Sequence, residues 1–195
     1  SVEEAAFARQ IGLDIIISDH HHPGPEIPDA VSVIDPKLPG DPYPEKHIAG
    51  VAIAYKISEA IFQQRKLNRC HAADNLDIVA IGTVADLAPL TGENRSLVRD
   101  GVKLLRNTTK QGLWSLMQIA RVSPERIRAS DIGFSLGPRL NAAGRLDTAF
   151  DAYQLLVSDD LREVGLLAQK LDSQNRERQR ITRDIQQKAS ELALT

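Results

Sequence analysis

The stretch Leu13-Asp14-Ile15-Ile16-Ile17-Ser18-Asp19-His20-His21-His22 decides how the chain is read. Leu13 to Ile17 is a short, nearly continuous apolar run rich in β-branched residues, as expected for a strand buried on both faces of a parallel sheet. It ends in a carboxylate and three histidines, where ligand sites of α/β sheets occur, just beyond the carboxyl end of a strand. Imidazole and carboxylate there can ligate a divalent metal and touch a phosphoryl group. Three consecutive loop histidines can equally be solvated and idle, and the residues alone leave both readings open.

Working outward, Ser1-Val2-Glu3-Glu4 has a capping-box pattern running into Ala5, Ala6 and Ala8, with Gly12 placed to stop a helix. The chain thus opens directly on a helix and without Met, which carries the expectation of a piece of a longer protein. Downstream, a Pro- and Gly-rich loop from His22 to Pro28 precedes a second short strand, Ala30 to Ile34, closed by Asp35-Pro36. Helix, strand, loop, strand is the beginning of an α/β layer.

Residues 36–47 hold four prolines and cannot be regular. From Ile48 the pattern is helical: Ile48 to Gln63, Asn75 to Ala85, Asn94 to Arg106, Gly112 to Ala120, Asp147 to Val157, and a long helix from about Leu161 onward. Residues 121–146 resist assignment. In the last helix a seam of apolar residues is interrupted by Gln174 and Arg178, so a connecting helix is preferred to a coiled coil. The expected fold class is α/β: the end of a parallel sheet, then a mainly helical region and the long helix. The division falls between residues 1–157 and 158–195.

Composition bounds the partners. At 195 residues, 24 Lys+Arg balance 26 Asp+Glu, so no bulk charge advertises a polyanion and any nucleic-acid contact must be local. One Trp, three Tyr and four Phe make a poor base-stacking platform. A lone cysteine, Cys70, fits a reducing cytoplasm, and no apolar run reaches the roughly 18–20 residues of a membrane span. The expected setting is cytoplasmic.

Two further stretches bear on chemistry. Asp86 ends a run, Leu76 to Ala85, that is apolar nearly all round and so reads as a buried helix. An acid at the negative end of a helix dipole is poorly placed unless a cation compensates. It can hold a metal, or simply hydrogen-bond the following turn, Leu87-Ala88-Pro89-Leu90. The second stretch, Gly133 to Arg145, sets Arg139 and Arg145 about Asn141 among small residues. Backbone amides can approach an anion there while guanidinium groups grip phosphate oxygens, although arginine on a loop is commonly just solvated.

Together these stretches resemble the DHH phosphoesterases. Asp19-His20-His21 matches the signature that names the family. Asp35-Pro36-Lys37-Leu38-Pro39, Pro42-Tyr43-Pro44, Ile48-Ala49-Gly50-Val51-Ala52, Gly82 to Leu90 with Glu93-Asn94-Arg95, Pro138 to Arg145, and Asn175-Arg176-Glu177-Arg178-Gln179 resemble, in order, its RecJ branch of single-strand-specific 5′→3′ DNA exonucleases. The resemblance implies that His20 and Asp86 ligate a catalytic metal, manganese or magnesium, in a two-metal site. It further implies that His21 contacts the scissile phosphate, that Asp19 orients the histidines, and that Arg139, Asn141, Gly144 and Arg145 hold substrate phosphate. Single-stranded DNA is the implied substrate, with a single-strand-binding protein and a helicase as cellular partners in recombination and repair. His22 stands where an apolar residue is commoner, and Asp35 where Asn is. The family's upstream Asp-x-Asp-Gly motif does not occur here, so the ligand set is expected to be incomplete and the 195-residue chain by itself inactive. Two alternatives remain: a DHH phosphatase acting on short oligonucleotides or pyrophosphate, and a non-catalytic scaffold of a replication or repair assembly.

Overall fold

The computed structural model describes residues 2–66, 70–146 and 149–193, and only the backbone of Cys70, His71, Ala143, Arg145 and Leu146. It divides into two compact units, Ser1–Gly101 and Val102–Thr195.

The first unit opens with helix α1, Val2–Gln10. The capping-box reading rests on Ser1, outside the described residues; the stop at Gly12 is seen in full. Gly12 takes φ +74°, its N–H bonds the Arg9 carbonyl, and the Leu13 N–H bonds that of Ala8. This is a Schellman close, for which glycine lacks the Cβ that disfavours left-handed backbone. Strands β1 (Ile16–Ser18) and β2 (Ser32–Ile34) then pair in parallel, Ile17 opposite Val33. The Val31 N–H to the Ile15 carbonyl and the Asp19 N–H to the Ile34 carbonyl extend the ladder at either end. The expectation of burial on both faces fails: Ile16 is 66% exposed and Leu13 57%. Two strands are the whole sheet among the described residues, so no third strand flanks these side chains there.

Beyond the irregular stretch, α2 (Gly50–Gln64), the short α3 (Cys70–Ala73), α4 (Leu76–Ala85) and α5 (Gly92–Arg106) follow; α5 crosses the unit boundary. Ile48, Ala52, Ile53, Val79 and Leu97 form the apolar core, with Ile34, Val51 and Leu76 against it. The proline-rich stretch is tied down by a charged cluster rather than by secondary structure. The Tyr43 hydroxyl donates to Glu93 Oε2 at 2.6 Å, and Lys56 Nζ lies 2.6 Å from Glu93 Oε1 and 3.1 Å from Glu59. Burial pushes the Glu93 carboxyl up, but its bonds from Lys56 and Tyr43 outweigh that and hold it below the ordinary range. Burial first, and then the bond to Glu93, push the Tyr43 phenol up to about 12.

In the second unit, α6 (Gln111–Ile119) is followed by a 3₁₀ turn (Pro124–Arg126) and the short α7 (Ala129–Asp131). A π-helical turn over Ile132–Leu136 leads without a break into α8 (Gly137–Leu146). Helices α9 (Phe150–Val157) and α10 (Leu161–Ala193) complete it. Leu113, Leu116, Met117, Ile127, Leu136, Leu155, Val164 and Leu171 are fully buried. Helix α10 packs on α6, α8 and α9 through its first half; from Gln179 onward it is exposed.

The Tyr43, Lys56 and Glu93 cluster makes stability pH-dependent in both directions. Glu93 is held below its unfolded value near ~4.3, so its contribution is full above that pH and is lost as the pH falls through the lower folded value. Tyr43 is held above its unfolded value near ~10, so its part is lost as the pH rises from there through about 12. Tyr43→Phe is expected to cost about 1 kcal/mol at pH 7, and Glu93→Gln to flatten the acid limb. Urea unfolding of both variants from pH 3 to 8 checks this; an unchanged acid limb in Glu93→Gln would remove Glu93 as its cause.

Candidate metal centre

Asp19, His20 and His21 leave the carboxyl end of β1, where the paired strand fixes the direction of the chain. Asp19 Oδ1 accepts the backbone N–H of His20 at 2.7 Å and of His21 at 3.2 Å, and lies 2.7 Å from His21 Nδ1. Burial pushes the Asp19 carboxyl up, but the bonds from the His21 ring and from both backbone N–H groups outweigh it, and its pKa lies below the ordinary value. The carboxylate thus orders the turn while staying ionised. One potential ligand atom from each of the three residues falls within 4.8 Å of the others.

Far downstream in the chain, Asp86 comes back to His20. It is the C-cap of α4, and its Oδ2 stands 3.4 Å from His20 Nδ1. Two atoms bound to one ion at about 2.1 Å, at right or tetrahedral angles, stand about 3.0–3.4 Å apart. The spacing therefore fits a shared divalent cation as well as it fits an ion pair. The sequence suggests an Asp86 at depth; its side chain is 43% exposed. The deeply buried acid of this helix is Asp77, 1% exposed, which accepts the Ile78 N–H at 2.8 Å.

Glycines set how close these parts come. A Cβ on Gly50 would meet His20 Cδ2 at 3.0 Å, so the first residue of α2 is the bed on which the imidazole lies. A Cβ on Gly82 would meet Val51 Cγ1 at 2.6 Å, so α4 crosses α2 at glycine-only separation. Lys37 Nζ donates to the His20 carbonyl at 2.6 Å, while the Lys37 N–H bonds the buried Asp35 at 2.9 Å. Sequence reasoning missed Gly50, Gly82 and Lys37 as parts of the site; a glycine opening a helix was the available signal. Beside Asp19 opens a cavity of ≈ 460 Å³, walled by His22, the proline-rich loop to Pro28, and Asp35.

The second unit holds the predicted anion-binding residues, on helix α8 and not on a loop. Arg139 Nε donates to Asp172 Oδ1 at 2.9 Å and its Nη1 to the Ser135 carbonyl at 2.7 Å. The other oxygen of Asp172 lies 2.7 Å from Arg176. Asn141 and Gly144 are exposed. Two residues apart on a helix, Arg139 and Asn141 project from different faces. The side chain of Arg145 lies outside the described residues. Asp172, 5% exposed, is the residue here that sequence reasoning did not find, since nothing local marks an acid in a polar helix as the partner of a distant arginine.

Residues 1–83 match the DHH family, N-terminal domain. Those residues are similar to that family's N-terminal domain. The chain's relatives are exonucleases: it is 41% identical over 192 residues to the single-stranded-DNA-specific exonuclease RecJ of Bacillus subtilis (strain 168), covering 98% of this chain and 24% of that protein. To the RecJ of Escherichia coli (strain K12) it is 38% identical over 195 residues, covering 34% of that protein. A crystal structure of RecJ in complex with Mn²⁺ from Thermus thermophilus superposes with a TM-score of 0.85 at 31% identity, covering 96% of this chain and 28% of that one. The chain thus spans about a quarter to a third of the curated relatives' length.

If His20 and Asp86 share an ion, pushing the imidazole off its bed weakens it. Gly50→Ala is expected to lower Mn²⁺ affinity about tenfold, as loss of a ligand-orienting contact does, without changing the fold. Free Mn²⁺ measured by electron paramagnetic resonance during titration of both proteins decides the matter, and equal affinities refute the assignment.

Proposed function

We propose that the chain carries part of the active site of a metal-dependent 5′→3′ exonuclease that hydrolyses phosphodiester bonds of single-stranded DNA. The observation that carries this reading is the meeting of His20 Nδ1 and Asp86 Oδ2 at 3.4 Å beside the Asp19–His21 pair, of which Asp19, His20 and His21 lie within the residues that match the family. When bound, a pair of Mn²⁺ or Mg²⁺ ions supplies an activated water and stabilises the departing oxygen. The residues do the rest. His20 and Asp86 are the ligands. Asp19 fixes the turn and the His21 ring through Nδ1, which leaves Nε2 free to meet a phosphate oxygen. Lys37 anchors the His20 backbone. Arg139, with Asn141, Gly144 and Arg145 on α8, serves substrate phosphate.

In this reading residues 1–157 belong to the DHH domain and 158–195 form its connecting helix. The setting is the cytoplasm, in recombination and repair, with a single-strand-binding protein and a helicase as partners. The exonuclease relatives favour it over the phosphatase alternative, and the assembled ligands favour it over the scaffold.

His20 and Asp86, with Asp19 beside them, are too few to fix two ions beside a phosphate. The 195-residue polypeptide is therefore expected to show no nuclease activity on single-stranded DNA with excess Mn²⁺, since even a 1 Å misplacement costs on the order of 100-fold. An assay beside a His20→Ala control tests this; robust activity abolished in the control would show a complete site. In a longer polypeptide containing this chain, Arg139→Lys keeps a charge on Asp172 but loses the fork that grips phosphate. It is expected to weaken 5′-phosphorylated strands about tenfold more than 5′-hydroxyl strands, in competition binding. Equal losses would make Arg139 a structural tie between α8 and α10 alone.

A further inference from the structure

The close of helix α4 is built like that of α1, with one difference. After Asp86, the Leu87 N–H bonds the Val84 carbonyl at 3.1 Å and the Ala88 N–H bonds that of Thr83 at 3.2 Å. This is the same pair of bonds that Gly12 and Leu13 make after α1. In both, the residue after the cap is left-handed, at φ +74° for Gly12 and +59° for Leu87. Leucine there crowds its Cβ against the backbone, which glycine avoids.

Two other non-glycine residues have positive φ among those described, Lys66 and Arg121. Each follows a helix end, of α2 and α6, where a cation complements the negative end of the dipole. Leu87 offers no such compensation. Nor does it pack: its side chain is 88% exposed. A strained backbone bearing an apolar side chain that touches little of its own protein points to a contact made with something else. Its place says with what, because its Cα is about 3.8 Å from that of Asp86, whose carboxylate faces His20.

We infer that Leu87 is a specificity residue: its side chain packs against the sugar and base of the nucleotide whose phosphate sits at the His20–Asp86 centre. The inference rests on the exonuclease reading and deepens it, from a phosphate site to one that also feels the nucleoside. A leucine is a sequence-tolerant contact, since every base offers an apolar face, and so suits a nuclease that must accept any base. The exposed Pro89 and Leu90 beside it continue the apolar rim.

The test uses the 195-residue chain with ¹³C-labelled leucine methyls and Mg²⁺, titrated with a 5′-phosphorylated deoxyadenosine dinucleotide and with its abasic analogue. Leu87 methyl signals are expected to move upfield, under the adenine ring current, with the first ligand and not with the second. Leu87→Gly and Leu87→Asn, both at ease with positive φ, are expected to bind the adenosine dinucleotide about tenfold more weakly, and to lose less on the abasic one, which keeps only the sugar contact. Their urea midpoints should be equal to or higher than that of the parent, which a packing residue would not allow. Should the dinucleotide move the His20 and His21 ring signals while Leu87 stays still, the inference is wrong and the exonuclease reading survives. Should neither ligand move those histidine signals, in this chain or in a longer polypeptide containing it, the reading fails and the inference with it.

Discussion

The site hangs on one close approach, that of Gly82 on α4 to Val51 on α2. No side chain larger than hydrogen fits between them, since even a Cβ would lie 2.6 Å from Val51 Cγ1. Asp86 follows Gly82 by four positions, one helical turn, and so projects on the same face. Gly50 precedes Val51 and takes the His20 ring against its own bare Cα. One helix crossing therefore sets both the height of Asp86 over α2 and the floor beneath His20. Core packing of Ile48, Ala52, Ile53 and Val79 supplies the attraction that holds the helices at that distance, and the two glycines set where the attraction stops.

Electrostatics then decides what such a crossing is for. Asp86 caps the negative end of α4, where a carboxylate is repelled by the last carbonyls, and the ionised Asp19 carboxylate bonds the neighbouring His21 ring. Two acids converge on His20, while the cation nearest in contact, Lys37, is held on the His20 carbonyl and not on either carboxylate. Carboxylates gathered about imidazole nitrogens are a donor set that suits a divalent cation. Holding Asp19 by backbone N–H groups stabilises its ionised form without neutralising it.

Periodicity made most of this legible in advance. The helices over 50–64, 76–85, 92–106, 111–119 and 161–193 lie within a few residues of where apolar spacing puts them, because their burial is one-sided or complete and leaves a clear pattern. The segment from Ile132 to Leu146 was illegible for a physical reason. Gly133, Gly137 and Pro138 read as breakers, yet all three stand in one continuous helical run, where a π turn over Ile132–Leu136 directly precedes Gly137 and Pro138. Burial of the sheet was misread because a run such as Ile15-Ile16-Ile17 reports what a strand can bury and not what covers it. His20 with Asp86 emerged from the family resemblance; no local pattern links residues so far apart.

The same limit explains Asp172, and with it the role open to Arg139. A carboxylate 5% exposed cannot stay charged without partners, and Asp172 meets two guanidinium groups, one on each oxygen. One negative charge against two positive ones leaves the cluster cationic. Fixing Arg139 through Nε and Nη1 removes much of the rotamer entropy that a long side chain would otherwise lose on gripping a ligand. It also leaves Nη2 without a direct hand in the tie. A structural salt bridge and a phosphate contact are thus not competing descriptions of this arginine. The bond to Asp172 is what turns a flexible surface cation into a donor of fixed direction, and a helix, unlike the loop the sequence suggested, can hold that direction.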